Sequence, residues 1–222
     1  MKPGEAIALL KKYGVGEGVI DHVKKVRNYA MEIARDIDCD RELVEAGALL
    51  HDIGRSRSHG MDHAVIGAGI LREEGVDERI VRIVERHIGA GISKEEAPQW
   101  GLPPKDYIPE TIEEKIVCHA DNMIGSKERI SIHDAVSVAR ENWTPGGQRR
   151  LKQFHFEVFK PHEGTFERGE CSDEIIREIV DEMDVLYKMR EEGDRCIISL
   201  YGYDAEKALR RLKKMIKKSV KR

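Results

Sequence analysis

Aromatic side chains are scarce in this chain: Phe, Trp and Tyr together make up 5% of its 222 residues. So few rings argue against a platform for single-stranded nucleic acid, which needs one aromatic face for each stacked base. An excess of one charge sign is missing too. Lys and Arg number 38 against 41 Asp and Glu, a formal net charge of -3, so no global field draws the protein to nucleic acid or to a membrane surface. Long apolar runs are also missing. No segment approaches the length of a membrane span, and the opening MKPGEAIALLKKYGVG has too short an apolar stretch for a secretory signal. Cys39, Cys118, Cys171 and Cys196 stand far apart with no CxxC pair, which argues against a zinc knuckle or a disulfide framework. These absences predict a soluble protein of a reducing cytoplasm with no membrane partner.

What the chain has is charge of both signs. Charged residues reach 36%, against about a quarter in an average soluble protein. Such an excess suits ion-pair networks in a heat-tolerant protein. The length is sufficient for one domain, or one domain with an extension.

The apolar pattern is helical nearly throughout. Ile20, Val23, Val26, Ala30 and Ile33 recur at helical spacing, as do Leu43, Ala46, Leu49, Leu50 and Ile53. HAVIGAGILREEG, DERIVRIVERHIG and TIEEKIVCHADNMIG continue the pattern, and Gly54, Gly75, Gly89 and Gly125 stand where it stops. SDEIIREIVDEMDVLYKMREEG reads as one long amphipathic helix capped by Ser172 or Asp173. RCIISLYGY reads as a short strand or a buried connection, and DAEKALRRLKKMIKKSVKR as a terminal helix. The expected fold class is all-α: a helical core over residues 1–130 and a mostly helical extension over 131–222.

Polar residues interrupt the apolar stripes at a few places. His22 shares the stripe of Val26 and Ile33. His51 and Asp52 end an apolar helix, His63 opens the next, His87 follows Ile80, Ile83 and Val84, and Asp121 stands between Val117 and Ile124. Any one of these alone reads as a hydrogen-bonded core residue or a cap. Together they place imidazoles and carboxyls on several inward faces, where burial without a cation would leave like charges or unpaired atoms. A helical bundle can build a metal site in this way from facing helices, and these donors suit divalent iron, manganese or zinc.

The order His22, His51-Asp52, Asp121, with LLHDIG followed by IVCHADNMI, resembles the HD superfamily of metal-dependent phosphohydrolases over roughly residues 18–126. DHAVIGA and VERHIGAG resemble its two-metal subset, which includes dinucleoside tetraphosphatases and cyclic-dinucleotide phosphodiesterases. The resemblance implies an HD-domain bundle in which His22, His51, Asp52 and Asp121 hold one metal. It also implies that Asp52 bridges to a second metal on His63 and His87. Arg55 takes the place of the Lys in the HDIGK variant and is expected to contact phosphate. Arg57 is the second candidate, with a solvated loop residue as its other reading.

The expected activity is hydrolysis of a phosphoester or phosphoanhydride bond in a nucleotide-type substrate by a metal-bound hydroxide, with Asp52 and Arg55 as catalytic residues. The expected cofactors are two divalent ions, iron, manganese or another transition metal, with magnesium admissible. Two alternatives stand beside this reading: a di-iron oxygenase acting on a small polar substrate, and a non-catalytic nucleotide sensor. His119 reads as a supporting or structural residue, His59 as a solvated loop residue, and the GxGxG of YGVGEGVIDH as a helix connection. The proline-rich loop around Trp100 could cover a substrate, although an ordinary surface loop is the simpler reading. The terminal RRLKKMIKKSVKR, with eight bases in thirteen residues, reads as a solvated helix face and leaves a nucleic-acid contact open. The charge content predicts a Tm above the range of about 45–65 °C usual for mesophile domains. A thermal melt within that range would remove the heat-tolerance reading.

Overall fold

The computed structural model describes residues 1–125, 128–170 and 172–219. Cys171 and the last three residues of the basic terminal run lie outside the described residues. Each apolar stripe of the first half becomes a helix. α1 (Pro3–Lys12) leads through a glycine-containing connection into α2 (Glu17–Ile33), which buries Ile20, Val23, Val26, Ala30 and Ile33. α3 (Arg41–Leu50) begins at Asp40, whose carboxylate accepts from the Leu43 amide at 3.1 Å. α4 (His63–Glu73), α5 (Glu78–Arg86) and α6 (Ile112–Asn122) follow, the last capped by Thr111. α2 packs on α3 and α6, α3 on α5 and α6, and α4 on α5. Ile20, Leu50, Ile53, Ile70, Ile83 and Ile116 fill the space between them.

Gly54 differs from its expected use as a helix stop. α3 ends at Leu50, and the chain passes through His51 and Asp52 into a 3-10 turn, Ile53–Ser56. A Cβ on Gly54 would lie 1.9 Å from the His63 carbonyl oxygen and 2.7 Å from the Gly67 amide. The missing side chain lets the first turn of α4 lie directly against the 3-10 turn. That contact carries His63 over Asp52.

α7 (Ile132–Asn142) and α8 (Pro145–Val158) add Ile132, Ala135, Leu151, Phe154 and Val158 to the same apolar core. After them the all-α expectation fails. β1 (His162–Glu167), β2 (Leu186–Glu192) and β3 (Arg195–Tyr201) form an antiparallel sheet in the order β1-β3-β2. The single long helix expected from Asp173 onward stops at Val180 as α9 (Asp173–Val180), and its second half becomes β2. The protein is mostly helical rather than all-helical. The reason lies in β2 itself. Its residues YKMREE favour helix by intrinsic propensity, and as an edge strand it exposes most of them, so no buried alternation shows in the sequence. Charges on an exposed edge also discourage pairing with another chain.

RCIISLY is the central strand, with Cys196, Ile198 and Leu200 buried. α10 (Ala205–Ser219) lays Ala208, Leu209, Leu212 and Ile216 into the core that the sheet shares with α9. Among the described residues no helix is long and apolar enough to cross a membrane. Replacing Gly54 by Ala drives a methyl group into α4 backbone, so Gly54→Ala is expected to cost about 2 kcal/mol or more. The check is a urea titration, where an unchanged midpoint would contradict the close approach.

Candidate metal centre

Three histidines owe their orientation to helix geometry. His51 and His87 terminate α3 and α5, and His63 opens α4. In each the ring Nδ1 donates to the carbonyl three residues earlier: His51 to Ala48 at 2.8 Å, His63 to Gly60 at 2.6 Å and His87 to Val84 at 2.7 Å. The last carbonyls of a helix lack intrahelical partners, so the rings at the ends of α3 and α5 satisfy them. With Nδ1 carrying the proton, the Nε2 lone pair points into the interior, the tautomer a metal ligand requires.

The Nε2 atoms converge on two carboxylates. Asp121, from α6, places Oδ1 2.9 Å from His22 Nε2 and 3.4 Å from His51 Nε2. Asp52 places Oδ1 3.1 Å from His63 and 3.7 Å from His87, while its Oδ2 lies 3.8 Å from His51. His63 and His87 face each other, Nε2 to Nε2, at 3.1 Å. Two groups could each enclose an ion, with donor atoms within 4.8 Å of one another: His22, His51 and Asp121; and His51, Asp52 and His87. The six residues expected as metal ligands lie close together, but the groups differ from the expected sets: Asp52 is absent from the first, and His51 rather than His63 stands with Asp52 and His87 in the second.

The electrostatics of the cluster are unusual for a protein core. Burial opposes charge on His51, yet the carboxylates of Asp121 and Asp52 raise it to about 9. Burial likewise works against ionised Asp52 and Asp121. His51, then the rings of His63 and His87 for Asp52 and of His22 for Asp121, hold both well below the usual carboxylate range. His87 is pushed down, chiefly by burial. With Nδ1 already protonated, a ring can donate to Asp52 only by taking a second proton on Nε2, which burial disfavours for His87. Without it the facing Nε2 atoms of His63 and His87 are two lone pairs 3.1 Å apart. His51 Nε2 is buried with no hydrogen-bond partner. Unpaired buried polar atoms are costly, and a divalent cation, taking the place of the proton that the carboxylates favour on His51, would satisfy these nitrogens and both carboxylates together. The donor set fits a metal.

Arg55 leans over the same carboxylate. Its Nε donates to both oxygens of Asp52 at 2.9 Å, and its side chain is 30% exposed at the rim. Arg57 is exposed and lies over the Tyr13 ring, 5.8 Å from its centroid. His59 is exposed. His119 faces away from the cluster and meets His155, Nε2 to Nδ1 at 3.4 Å. Asn122 ties the end of α6 to the segment after His87, donating to the Gly89 carbonyl. Sequence spacing carried no signal for the His119–His155 pair, because it joins α6 to α8 across the fold.

The sequence matches the HD domain family over residues 19–124. An uncharacterized protein of Methanocaldococcus jannaschii, MJ0778, is 54% identical over 137 residues, 60% of this chain and 80% of that protein. A tRNA (cytidine(56)-2'-O)-methyltransferase of Thermoplasma volcanium is 50% identical over 147 residues, 66% of this chain and 44% of that protein. The chain thus spans less than half the length of the methyltransferase it matches. A ribonuclease Y of Acidothermus cellulolyticus is 37% identical over 89 residues, 37% of this chain and 18% of that protein.

If Asp52 is shared between two ions, Asp52→Ala loses both, and His63→Ala retains one of the pair. Metal analysis of freshly purified protein checks this. Full metal content in Asp52→Ala, or unchanged stoichiometry in His63→Ala, would overturn the shared arrangement.

Proposed function

The chain belongs to the HD-domain family, and from that premise we propose that it is a metal-dependent phosphohydrolase acting on a nucleotide-type substrate. The bond cleaved is a phosphoester or phosphoanhydride. The observation that carries this reading is the meeting of four imidazoles and one guanidinium on the two carboxylates of Asp52 and Asp121. Divalent cations held by His22, His51, Asp52, His63, His87 and Asp121 would acidify a water and screen the charge of a phosphoryl group. The imidazole-rich set favours a transition metal such as iron or manganese, with magnesium admissible.

The chain's own residues contribute positioning and charge. The backbone-tied rings of His51, His63 and His87 hold the donor atoms in place before any substrate arrives. Arg55 offers a planar fork of N–H donors at the rim of the cluster, suited to the equatorial oxygens of a phosphoryl group in transfer. Water is the fitting nucleophile. The Cys118 thiol is buried, pushed up chiefly by that burial, and donates to the Gly89 carbonyl at 3.0 Å, so it is no source of thiolate. The Ser56 and Ser58 hydroxyls are engaged with the Ile53 carbonyl and Asp62.

Methyl transfer, named for a relative, calls for a site that binds a methyl donor. A His and Asp cluster under an Arg supplies phosphate chemistry instead. The same relative's name makes RNA a substrate worth including beside small nucleotides. The test is phosphate or nucleotide release across nucleotides, dinucleoside polyphosphates, cyclic nucleotides and tRNA, with Mn, Fe, Co and Mg in turn. Turnover in this panel is expected. Oxygen consumption by the iron-loaded protein without phosphate release would select an oxygenase, and no turnover at all would select a sensor. Arg55→Ala is expected to keep its metal and lose about 10²–10³-fold in kcat/KM. An unchanged value would remove Arg55 from the phosphate site.

A further inference from the structure

The chain has two tryptophans, and the fold brings both to the wall of a single cavity of about 510 Å³. Trp100 ends a 3-10 turn, Ala97–Trp100, and is 37% exposed. Trp143 follows α7 and lies against the backbone after His87, its ring 3.8 Å from where a Cβ on Gly89 would stand. The loop that carries Trp100 has a small core of its own, Ile92, Ala97, Leu102 and Tyr107, packed on Met61, Val65 and Ile88. It is a built wall.

The cavity is lined by chain neighbours of three of the candidate ligands. Its lining includes Ile88, next to His87; Asn122, next to Asp121; and Met61, two residues before His63. Its chemistry is the opposite of the centre's. Among the lining residues Glu96 is the one with a charged side chain. That carboxylate accepts from the Ser93 amide, the Thr144 hydroxyl and Arg150, at 2.8 Å and 2.7 Å for Ser93 and Arg150. Arg150 is committed in turn, donating to the carbonyls of Ala90 and Gly91. The lining therefore presents two indole rings, neutral carboxamides of Asn122 and Asn142, and glycine backbone, with no cation to receive a phosphate.

We propose that this cavity seats the base of the nucleotide whose phosphate lies at the metal centre, with the base stacked on Trp143 and Trp100 closing over its outer side. The proposal rests on the phosphohydrolase reading for the phosphate and on the cavity alone for the base. The volume falls within the range of small-molecule sites, about 300–1,000 Å³. Two rings in one cavity suit a single base, and they agree with an aromatic content too low for a strand of several.

The test separates the two readings. Both tryptophans line the cavity, so tryptophan emission reports on it without turnover. Adenosine and AMP are expected to change the emission saturably, and ribose 5-phosphate to leave it unchanged. By calorimetry, Trp143→Leu is expected to weaken AMP binding about 10–100-fold, the range of one base stacked on one ring. Trp143→Phe, which keeps an aromatic face, is expected to recover most of that loss; a Phe variant as weak as the Leu variant would make Trp143 a packing residue only. Equal responses to AMP and ribose 5-phosphate, or wild-type AMP affinity in Trp143→Leu, would overturn the base pocket. Should adenosine bind through Trp143 while no nucleotide is hydrolysed, the pocket stands and the hydrolase reading falls.

Discussion

A carboxylate at the junction of α3 and α4, 4% exposed, sets the terms for the rest of this protein. Burying a charge without partners costs several kcal/mol, and Asp52 is surrounded by groups that answer that cost. Arg55 approaches from the rim, His63 and His87 from one side and His51 from the other. These groups come from different helices, so the packing of α3, α4 and α5 is coupled to the satisfaction of one side chain. Gly54 enforces this: without its open face, α4 could not come close enough to bring His63 to the carboxylate. The site and the fold are therefore stabilised by the same contacts.

Much of that arrangement was legible in the sequence, for a definite reason. His22, His87 and Asp121 each break an apolar stripe of helical period, and a polar residue on a buried stripe stands out wherever the period is clear. His51, Asp52 and His63 lie at helix ends that glycine and the change of pattern marked. The bonds from ring Nδ1 to the carbonyl three residues back were not foreseen, though the position of each ring at a helix end is the condition for them. The role of Gly54 was hidden as well. A glycine after a helix reads as a stop, while a glycine needed for close packing reads the same way.

The sheet and the tryptophan cavity escaped the sequence reading because both arise from tertiary juxtaposition. β2 takes its conformation from pairing with β3, and its charged residues show helical propensity with no buried face to contradict it. Trp100 and Trp143 lie on segments far apart in the chain, Trp143 at the α7–α8 turn with its ring against Gly89. The sequence could place a proline-rich loop after His87 but had no means of pairing it with Trp143. His155 had no visible role for the same reason.

That histidine shows how the C-terminal sheet is joined to the helical core. His155 donates from Nε2 to the Tyr201 carbonyl at the end of β3, at 2.9 Å, and its Nδ1 faces His119 on α6. Burial holds His155 down to about 4, so it is neutral near pH 7 and its Nδ1 can accept a hydrogen bond while Nε2 donates. His119, also kept neutral by burial, is two residues from Asp121, about 200° around the helix. α6 thus turns one face to the His/Asp cluster and the opposite face to the histidine pair leading to the sheet. Asp184 reinforces the junction by accepting from the Ile132 amide at 2.8 Å, and Gly202 lies too close to the Asp184 carbonyl to admit a side chain. The sheet contributes no ligand to the cluster. It reaches α6 through His155 and His119, on the face opposite Asp121.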